Sequence, residues 1–400
     1  MIDPSSKLRI SSISIANVGR FENFDLSFND KVNIICGTNG IGKTTILQLI
    51  SASFARGSQS SYIARRALSE SSGSWQISVY DNDALRSTSI QAENPPPIPA
   101  HFLSNLHGLA NRILFFPSRR DIPYSTAQAV TRDPPTEDHR FLSQSLEGIA
   151  SDDIKRWLIN RNMFRSIVEA LPPYKIRNLD VASSFFSVVD PSVKFSNIDA
   201  STFDLLVNTK DGKIPFEFLS SGFRSSLALL IGIINEIEVR GFQDTADKFS
   251  GVILIDEVDL HLHPSWQTKI IQILRSSFPN AQFIVTTHSP HVVQNAGPGE
   301  VIALRLDGEG NTLRATLTES SQAYKGWTIE EILTDVMGLD DAVSDSYKRA
   351  VADFYTALDA EDGERVHETL GLLQSMLHPS NEMHKLFKMQ ASPFLVEKND

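Results

Sequence analysis

The chain has 400 residues, a formal net charge of −11 and 41% hydrophobic residues, which fits a globular protein with a large core and one or two subdomains. The acidic balance disfavours salt-dependent binding of DNA over the whole surface, and no run of about 18 apolar residues predicts a transmembrane helix. The start of the chain lacks the layout of a signal peptide, and the single cysteine, Cys36, rules out an internal disulfide, so we expect a cytoplasmic protein without a membrane partner.

The first element of functional interest is a predicted phosphate-binding loop at residues 37–44, with the sequence GTNGIGKT. It follows an apolar run at 32–36 and precedes residues 45–50, whose apolar side chains have helical spacing. A strand, a glycine-rich loop and a helix in this order are the context in which the motif binds phosphate. The glycines let successive N–H groups face an anion, and the helix start adds its positive dipole. The predicted nucleotide-binding residues are Gly37, Thr38, Asn39, Gly40, Ile41, Gly42, Lys43, Thr44 and Thr45.

Two residues of this loop have a predicted role of their own. Lys43 is expected to contact the β- and γ-phosphates of a nucleoside triphosphate. Thr44 is expected to give its hydroxyl to Mg²⁺. The loop therefore predicts that the chain binds ATP together with Mg²⁺.

Residues 61–174 are predicted to form an inserted lobe of loops and helices. Proline-rich segments at 94–99 and 133–136 indicate loops, and the pattern between 138 and 172 is helical. No heptad repeat persists between the phosphate loop and residue 219, so no long coiled-coil arm is expected. Nine basic residues of this stretch would line a local groove for DNA or cover a solvated helix face: Arg112, Arg119, Arg120, Arg132, Arg140, Lys155, Arg156, Arg161 and Arg165.

A serine–glycine segment, LSSG at 219–222, follows a predicted hairpin at 204–218 and opens an apolar helix. Ser220 and Ser221 are good N-cap residues, and the apolar circumference of the helix predicts that it is buried. Taken alone, the segment indicates ordinary helix capping. Its place between a phosphate loop and an acidic strand end makes Ser220, Ser221 and Gly222 candidates for nucleotide contact.

An acidic pair, Asp256 and Glu257, ends the continuous apolar run at 252–255. Such a run is typical of a central strand that is covered on both faces. Asp256 would then stand at the carboxyl end of the strand, where open α/β sheets bind their ligands and where a carboxylate can hold Mg²⁺. Glu257 is the natural residue to orient or deprotonate the attacking water.

His288 follows another short apolar run, at 283–287, and could bond a γ-phosphate oxygen from that strand end. A metal site formed by His261, His263 and His288 is the alternative. Pro264 indicates a loop rather than a strand around the first two histidines, and no cysteine or matched histidine pair completes a zinc set. These two observations weigh against the metal site.

The C-terminal region, 319–400, is predicted to be helical, with helices at 327–333, 346–360 and 362–377. Thr328 and Glu331 are spaced as a capping box. No series of strands follows residue 318. We therefore expect no α/β nuclease domain in this chain, and a nuclease, if one takes part, would be a separate polypeptide.

Together these motifs resemble the head domain of ATP-binding-cassette (ABC) ATPases, and within them the soluble group related to SMC, RecF and the overcoming-lysogenization-defect (OLD) proteins. The opening hairpin at 8–28, the segment 256–264 (DEVDLHLHP) and the segment 286–290 (TTHSP) carry the narrower likeness. The resemblance implies an α/β P-loop NTPase fold of the ABC head type, with a helical lobe and a helical C-terminal tail. The ATPase core would comprise residues 1–60 and 175–318.

The resemblance also implies a mechanism. Residues 219–222 look like the cassette signature, which in this family closes over the nucleotide held by a second chain. By this analogy Ser220, Ser221 and Gly222 would bind a γ-phosphate in trans, Asp259 would be the D-loop residue and His288 the switch histidine. ATP would hold a head-to-head homodimer together, and hydrolysis would release it.

One departure concerns the glutamine loop of transporter-type cassettes. The segment 115–120 (FFPSRR) follows a predicted strand and could occupy that position. Arg119 would then replace the glutamine, or it is simply a surface charge; the sequence leaves both readings open.

Three functions compete at this point. The first is an ATPase switch in bacterial anti-phage defence or DNA processing, similar to the PtuA-type subunits that pair with a separately encoded HNH nuclease; the absence of arms and of a nuclease domain favours it. The second is a RecF-like repair ATPase that clamps DNA directly, which the net charge of −11 disfavours. The third is the nucleotide-binding subunit of a transporter, which the missing glutamine loop disfavours.

Overall fold

The computed structural model describes residues 6–59, 72–92, 100–120, 138–150, 154–167, 169–199, 201–318, 321–339 and 343–395. The predicted proline-rich loops at 94–99 and 133–136 lie outside these ranges. The chain divides into two units, Met1–Gly338 and Leu339–Asp400.

A six-stranded sheet forms the centre of the first unit. Its strands lie in the order β15 (Thr312–Arg314), β14 (Val301–Leu306), β3 (Val32–Cys36), β13 (Gln282–Thr286), β12 (Val252–Ile255) and β8 (Ile113–Phe116). The strands from β14 to β8 run parallel, and β15 is antiparallel at the edge. The parallel strands therefore end at one edge of the sheet, which is where α/β folds of this kind bind their ligands.

The central sheet is buried on both faces, as the apolar runs predict. In β3, Ile34 and Cys36 point into one core and Ile35 points into the other, because side chains alternate along a strand. The first core also contains residues of α3 (Ile154–Phe164), α4 (Pro173–Val189), α5 (Ser221–Val239), α7 (Ile270–Ser277) and α8 (Pro290–Gln294). The second contains residues of α1 (Lys43–Ala52) and α2 (Asp138–Glu147).

An antiparallel sheet completes the second core. Its strands lie in the order β2 (Phe21–Ser27), β1 (Leu8–Val18), β5 (Gly73–Asp81) and β6 (Ala84–Ala92). The β1–β2 pair confirms the opening hairpin. The stretch 61–174, assigned to an inserted lobe from sequence, contributes β5 and β6 to this sheet and β8 to the central sheet, besides the helices α2 and α3. A separate pair consists of β4 (Arg56–Gln59) and β7 (Ala100–Leu103).

The chain reaches the serine–glycine segment through a three-stranded antiparallel sheet, in the order β11 (Gly212–Pro215), β10 (Leu205–Thr209) and β9 (Lys194–Ile198). The predicted hairpin is confirmed, but its second strand is shorter than expected and ends at Pro215. The next three residues form a 3-10 turn. This turn directs Phe216 into the first core, where its ring packs edge-on against Phe186 with centroids 6.0 Å apart.

Three short helices complete the first unit: α6 (Pro264–Gln267), α8 (Pro290–Gln294) and α9 (Ile329–Glu331). The capping box of α9 is confirmed, since Thr328 and Glu331 cap each other's backbone N–H groups. A π-helical turn, Ile332–Val336, continues α9. Within the described ranges no helix combines the length and apolar character needed to cross a membrane.

The second unit is helical, as predicted for the C-terminal region, but it begins at Leu339 and not at residue 319. Its helices are α10 (Asp345–Asp359), α11 (Gly363–Met376) and α12 (Met383–Ala391). Their core includes Phe354, Leu373 and Phe387, all fully buried. The sequence prediction omitted α12, although Met383, Phe387 and Ala391 show the four-residue spacing that would have revealed it.

Candidate functional site

The phosphate loop leads from β3 into α1, and glycine is required at two of its positions. Gly37 and Gly42 have φ angles of 144° and 106°, a region that other residues rarely adopt. A Cβ atom on Gly37 would lie 2.7 Å from the carbonyl oxygen of Leu304, and one on Gly42 would lie 2.6 Å from the ring of Phe21. Gly40, by contrast, has no atom within 4 Å of its Cβ position. The loop is therefore packed on its inner side and open at Gly40.

Lys43 starts α1, and its ammonium lies within the curve of the loop. Its Nζ donates hydrogen bonds of 2.9 Å to the carbonyl oxygens of Gly37 and Thr38. Burial lowers the pKa of Lys43, while the charges of Asp256 and Glu257 act in the opposite direction. The sequence and the fold thus bring a cation to the end of β3, where it faces the carboxylates that follow β12.

Thr44 and Asp256 meet directly. The hydroxyl of Thr44 lies 3.0 Å and 3.1 Å from the two carboxylate oxygens of Asp256. Thr286, at the end of β13, donates to the same carboxylate over 2.7 Å. Hydroxyl and carboxylate oxygens are the ligands that Mg²⁺ prefers, so this donor set fits the ion, and the open side of the loop at Gly40 fits the phosphates that accompany it.

Glu257 has an unusual backbone conformation. Its φ angle is 47°, in the left-handed region that a glutamate rarely adopts. Its N–H donates to the hydroxyl of Thr286 over 2.7 Å, so the hydroxyl that orients Asp256 also fixes the glutamate. The hydroxyl of Thr286 therefore holds both acids against the end of β13.

The exposure of Arg119 favours the surface-charge reading. That side chain is exposed, whereas its neighbour Arg120 is only 4% exposed. Arg120 donates to the carbonyl oxygen of Asp256 over 2.8 Å and to that of Glu257 over 2.6 Å. Sequence reasoning named Arg120 only within a basic cluster and did not place it at the acidic pair. No local signal in the sequence marks this contact, because it depends on the parallel pairing of β8 with β12, which aligns Phe116 with Ile255.

Asp259 and His288 are neighbours in the fold. One carboxylate oxygen of Asp259 accepts from the hydroxyl of Thr287 over 2.6 Å and from the backbone N–H of His288 over 3.2 Å. Burial and the charge of Lys43 lower the pKa of His288 below its usual value, which leaves the imidazole neutral at pH 7. The structure thus brings His288 into the electrostatic range of the phosphate loop lysine.

The serine–glycine segment lies at the start of α5. Ser220 is its N-cap and accepts from the N–H of Phe223 over 3.3 Å, and both Ser220 and Ser221 are exposed. A Cβ atom on Gly222 would lie 2.2 Å from the carbonyl oxygen of His261, so only glycine fits where α5 approaches the segment after the acidic pair. Among the described residues no hydrogen bond joins Ser220 or Ser221 to the phosphate loop.

The histidine metal site finds no support. His261 is exposed, and His263 caps α6 by accepting from the N–H of Ser265. Within the ranges that the structure describes, no group of three or more His, Cys, Asp or Glu side chains is arranged to hold a metal ion.

Most of the described basic residues between 112 and 165 form ion pairs rather than a groove or a solvated face. Arg112 pairs with Asp81, Arg161 with Glu238 and Lys155 with Glu217, and all six side chains are buried. Arg140 and Arg165 pair with Glu236 and Asp180. Arg132 lies outside the described residues. The three buried pairs are neutralised within the fold, whereas Arg165 and Asp180 pair at the exposed surface.

Comparison with known proteins agrees with this geometry. A family described as "AAA domain, putative AbiEii toxin, Type IV TA system" matches residues 99–294, and one described as "AAA domain" matches residues 12–83. These two ranges include every predicted site residue.

One relative matches nearly the whole chain, and another matches about a quarter of it. A Septu protein PtuA from Bacillus thuringiensis is 39% identical over 395 residues, which is 97% of this chain and 98% of that protein. The Retron Ec83 "probable ATPase" of Escherichia coli is 42% identical over 101 residues, 24% of this chain and 19% of that protein. Among solved structures, an SMC head bound to the C-terminal winged-helix domain of ScpA is 15% identical, covers 77% of this chain and 97% of its own, and has a TM-score of 0.45.

The AAA domains and the retron relative make the chain an ATPase. The PtuA relative is similar over nearly the whole of both chains. This protein belongs to the PtuA family of Septu proteins.

Proposed function

We propose that this ATPase is a molecular switch that forms a head-to-head dimer when it binds ATP and releases the dimer when it hydrolyses ATP. The dimer controls a separately encoded effector, a nuclease, in bacterial anti-phage defence or DNA processing. In this proposal the protein acts in the cytoplasm. Two copies of the chain are needed to complete each nucleotide site.

The observation that carries the proposal is the exposed start of α5. Ser220 and Ser221 present exposed hydroxyls at the positive end of a 19-residue helix, an arrangement that favours binding of an anion. No hydrogen bond of the described residues links them to the phosphate loop of the same chain. A second copy placed head to head would supply the γ-phosphate that this helix start lacks.

The roles within one half-site follow from its contacts. The loop N–H groups and Lys43 would bind the phosphates, and Thr44 and Asp256 would hold Mg²⁺. The ion would neutralise charge on the phosphate oxygens when bound. Glu257 would orient the attacking water and accept its proton.

His288 would contribute to the same half-site as a neutral imidazole. An imidazole N–H can donate to a γ-phosphate oxygen at this position. Asp259 would hold the backbone of His288 and the hydroxyl of Thr287 in place.

Direct clamping of DNA is the weaker alternative. The net charge is −11, and among the described residues at least five of the basic candidates for a DNA groove pair with acids, three of them in buried pairs. Counterion release from DNA needs accessible cations. We therefore assign any action on nucleic acid to the effector.

Ser221→Arg is expected to block dimer formation and to leave nucleotide binding by the monomer unchanged. The long cation would occupy the space that a partner's γ-phosphate and loop require, while the phosphate loop lies elsewhere in the chain. Light scattering in Mg²⁺ and a slowly hydrolysed ATP analogue would show a dimer for the wild type and a monomer for the variant.

A matched control is Ser346→Arg. Ser346 is exposed in the first turn of α10, which also follows a serine N-cap. The Ser346→Arg variant therefore measures the general effect of an arginine at the start of a helix. The control should dimerise like the wild type. A Ser221→Arg protein that dimerises normally would contradict the role of the serine–glycine segment.

The effector is tested by purifying the Glu257→Gln protein from its native host in ATP and Mg²⁺. We expect a nuclease to co-elute, and its cleavage of DNA to differ between ATP and ADP. Recovery of DNA without a protein partner would favour the RecF-like clamp instead.

A further inference from the structure

Arg120 contacts the acidic pair, and the roles proposed above give it no part in hydrolysis. It lies four residues after β8 ends at Phe116, and its side chain is 4% exposed. The guanidinium donates one hydrogen bond of 2.8 Å to the carbonyl oxygen of Asp256 and another of 2.6 Å to that of Glu257. Two consecutive carbonyl groups of the acidic pair therefore converge on a single side chain.

These two hydrogen bonds hold a residue, Glu257, whose backbone conformation is unusual. A φ angle of 47° is unfavourable for glutamate, and such conformations persist only where the surroundings enforce them. Thr286 holds the N–H of this residue over 2.7 Å. Arg120 holds its carbonyl group, so the backbone of Glu257 is bound on both sides.

An arginine suits this task better than other cations. Its guanidinium is planar and presents several N–H groups as a rigid fork, which can serve two acceptors at once. The ammonium of a lysine is a compact point charge without that fork. Arg119, the exposed neighbour, has the same chemistry, but among the described residues no hydrogen bond joins it to the acidic pair.

We propose that Arg120 is a positioning residue for ATP hydrolysis: by holding the carbonyl groups of Asp256 and Glu257, it keeps the left-handed turn that directs the Glu257 carboxylate into the site. Arg120 acts through the backbone of the acidic pair, and ATP affinity does not depend on it. The inference rests on the role proposed for Glu257.

The charge of Arg120 is compatible with this position. Burial lowers its pKa to about 10, against the opposing effect of Asp256, Asp259 and Glu257. A group with that pKa is protonated at pH 7, so both hydrogen bonds keep their charge-assisted character.

The test compares Arg120→Lys and Arg120→Ala with Arg119→Ala as the matched control. We expect the two Arg120 variants to bind ATP with a Kd close to that of the wild type and to show a lower kcat, by about 10²-fold for the alanine, since small displacements of a catalytic group have effects of that size. Lysine should recover part of the loss, because one of the two hydrogen bonds can still form. Arg119→Ala should match the wild type, and thermal melting confirms that each variant is folded.

A double-mutant cycle separates positioning from a general structural effect. Single-turnover hydrolysis is measured for Glu257→Gln with and without Arg120→Lys. If Arg120 acts through Glu257, the second substitution causes no further loss, since residues that act as a unit are not additive. An equal loss in both backgrounds, or a higher Kd at unchanged kcat, would overturn the inference. Wild-type turnover in Glu257→Gln alone would instead refute the role proposed for Glu257.

Discussion

Glu257→Gln is expected to bind ATP with an unchanged Kd and to hydrolyse it roughly 10²–10⁴-fold more slowly than the wild type, the usual effect of removing a general base. Glutamine has nearly the same shape as glutamate, and the backbone contacts of this residue to Thr286 and Arg120 do not involve its side chain. The substitution therefore removes the carboxylate that we propose orients water and accepts its proton, while it leaves the turn in place.

The second consequence of this substitution is a long-lived dimer. If hydrolysis releases the two copies, blocking hydrolysis should leave the dimer intact in ATP and Mg²⁺, and light scattering would then report twice the monomer mass for hours. Glu368→Gln, at an exposed position of α11, is the matched control and should turn over ATP like the wild type. A Glu257→Gln protein with normal turnover would exclude the assigned role.

Lys43→Ala is expected to lose nucleotide binding. A charged hydrogen bond contributes up to about 3 kcal/mol, and such a loss corresponds to roughly 10²-fold in Kd. Lys43 also donates to the carbonyl oxygens of Gly37 and Thr38, so its removal takes away two hydrogen bonds that hold the phosphate loop. Both effects weaken binding in the same direction.

Calorimetric titration with ATP and Mg²⁺ checks this expectation. A thermal shift provides a second readout, because a ligand that binds only the folded state raises the melting temperature; ATP should stabilise the wild type and not the variant. Lys210→Ala, in the exposed turn between β10 and β11, should behave like the wild type. Undiminished affinity in Lys43→Ala would show that the phosphates bind elsewhere.

Several features of the fold were accessible from the sequence because they are local. The left-handed glycines of the phosphate loop, the apolar run before Asp256 and the serine N-cap of α5 each depend on a few consecutive residues. The common edge of the site was also predictable, since parallel strands covered on both faces place their carboxyl ends together. The short second strand of the β10–β11 hairpin was not, because the burial of Phe216 against Phe186 ends it.

The sequence by itself determined that this protein has a phosphate loop, an acidic pair and a signature-like helix start, since glycine, apolar periodicity and capping act over a few neighbouring residues. Only the tertiary structure decided that Arg120 is the cation that donates to the backbone carbonyl groups of the acidic pair. Arg120 contacts a carbonyl group 136 positions away, through the pairing of β8 with β12. The same holds for Arg161 and Glu238, 77 positions apart, because partners of a buried charge are selected by packing and not by distance along the chain.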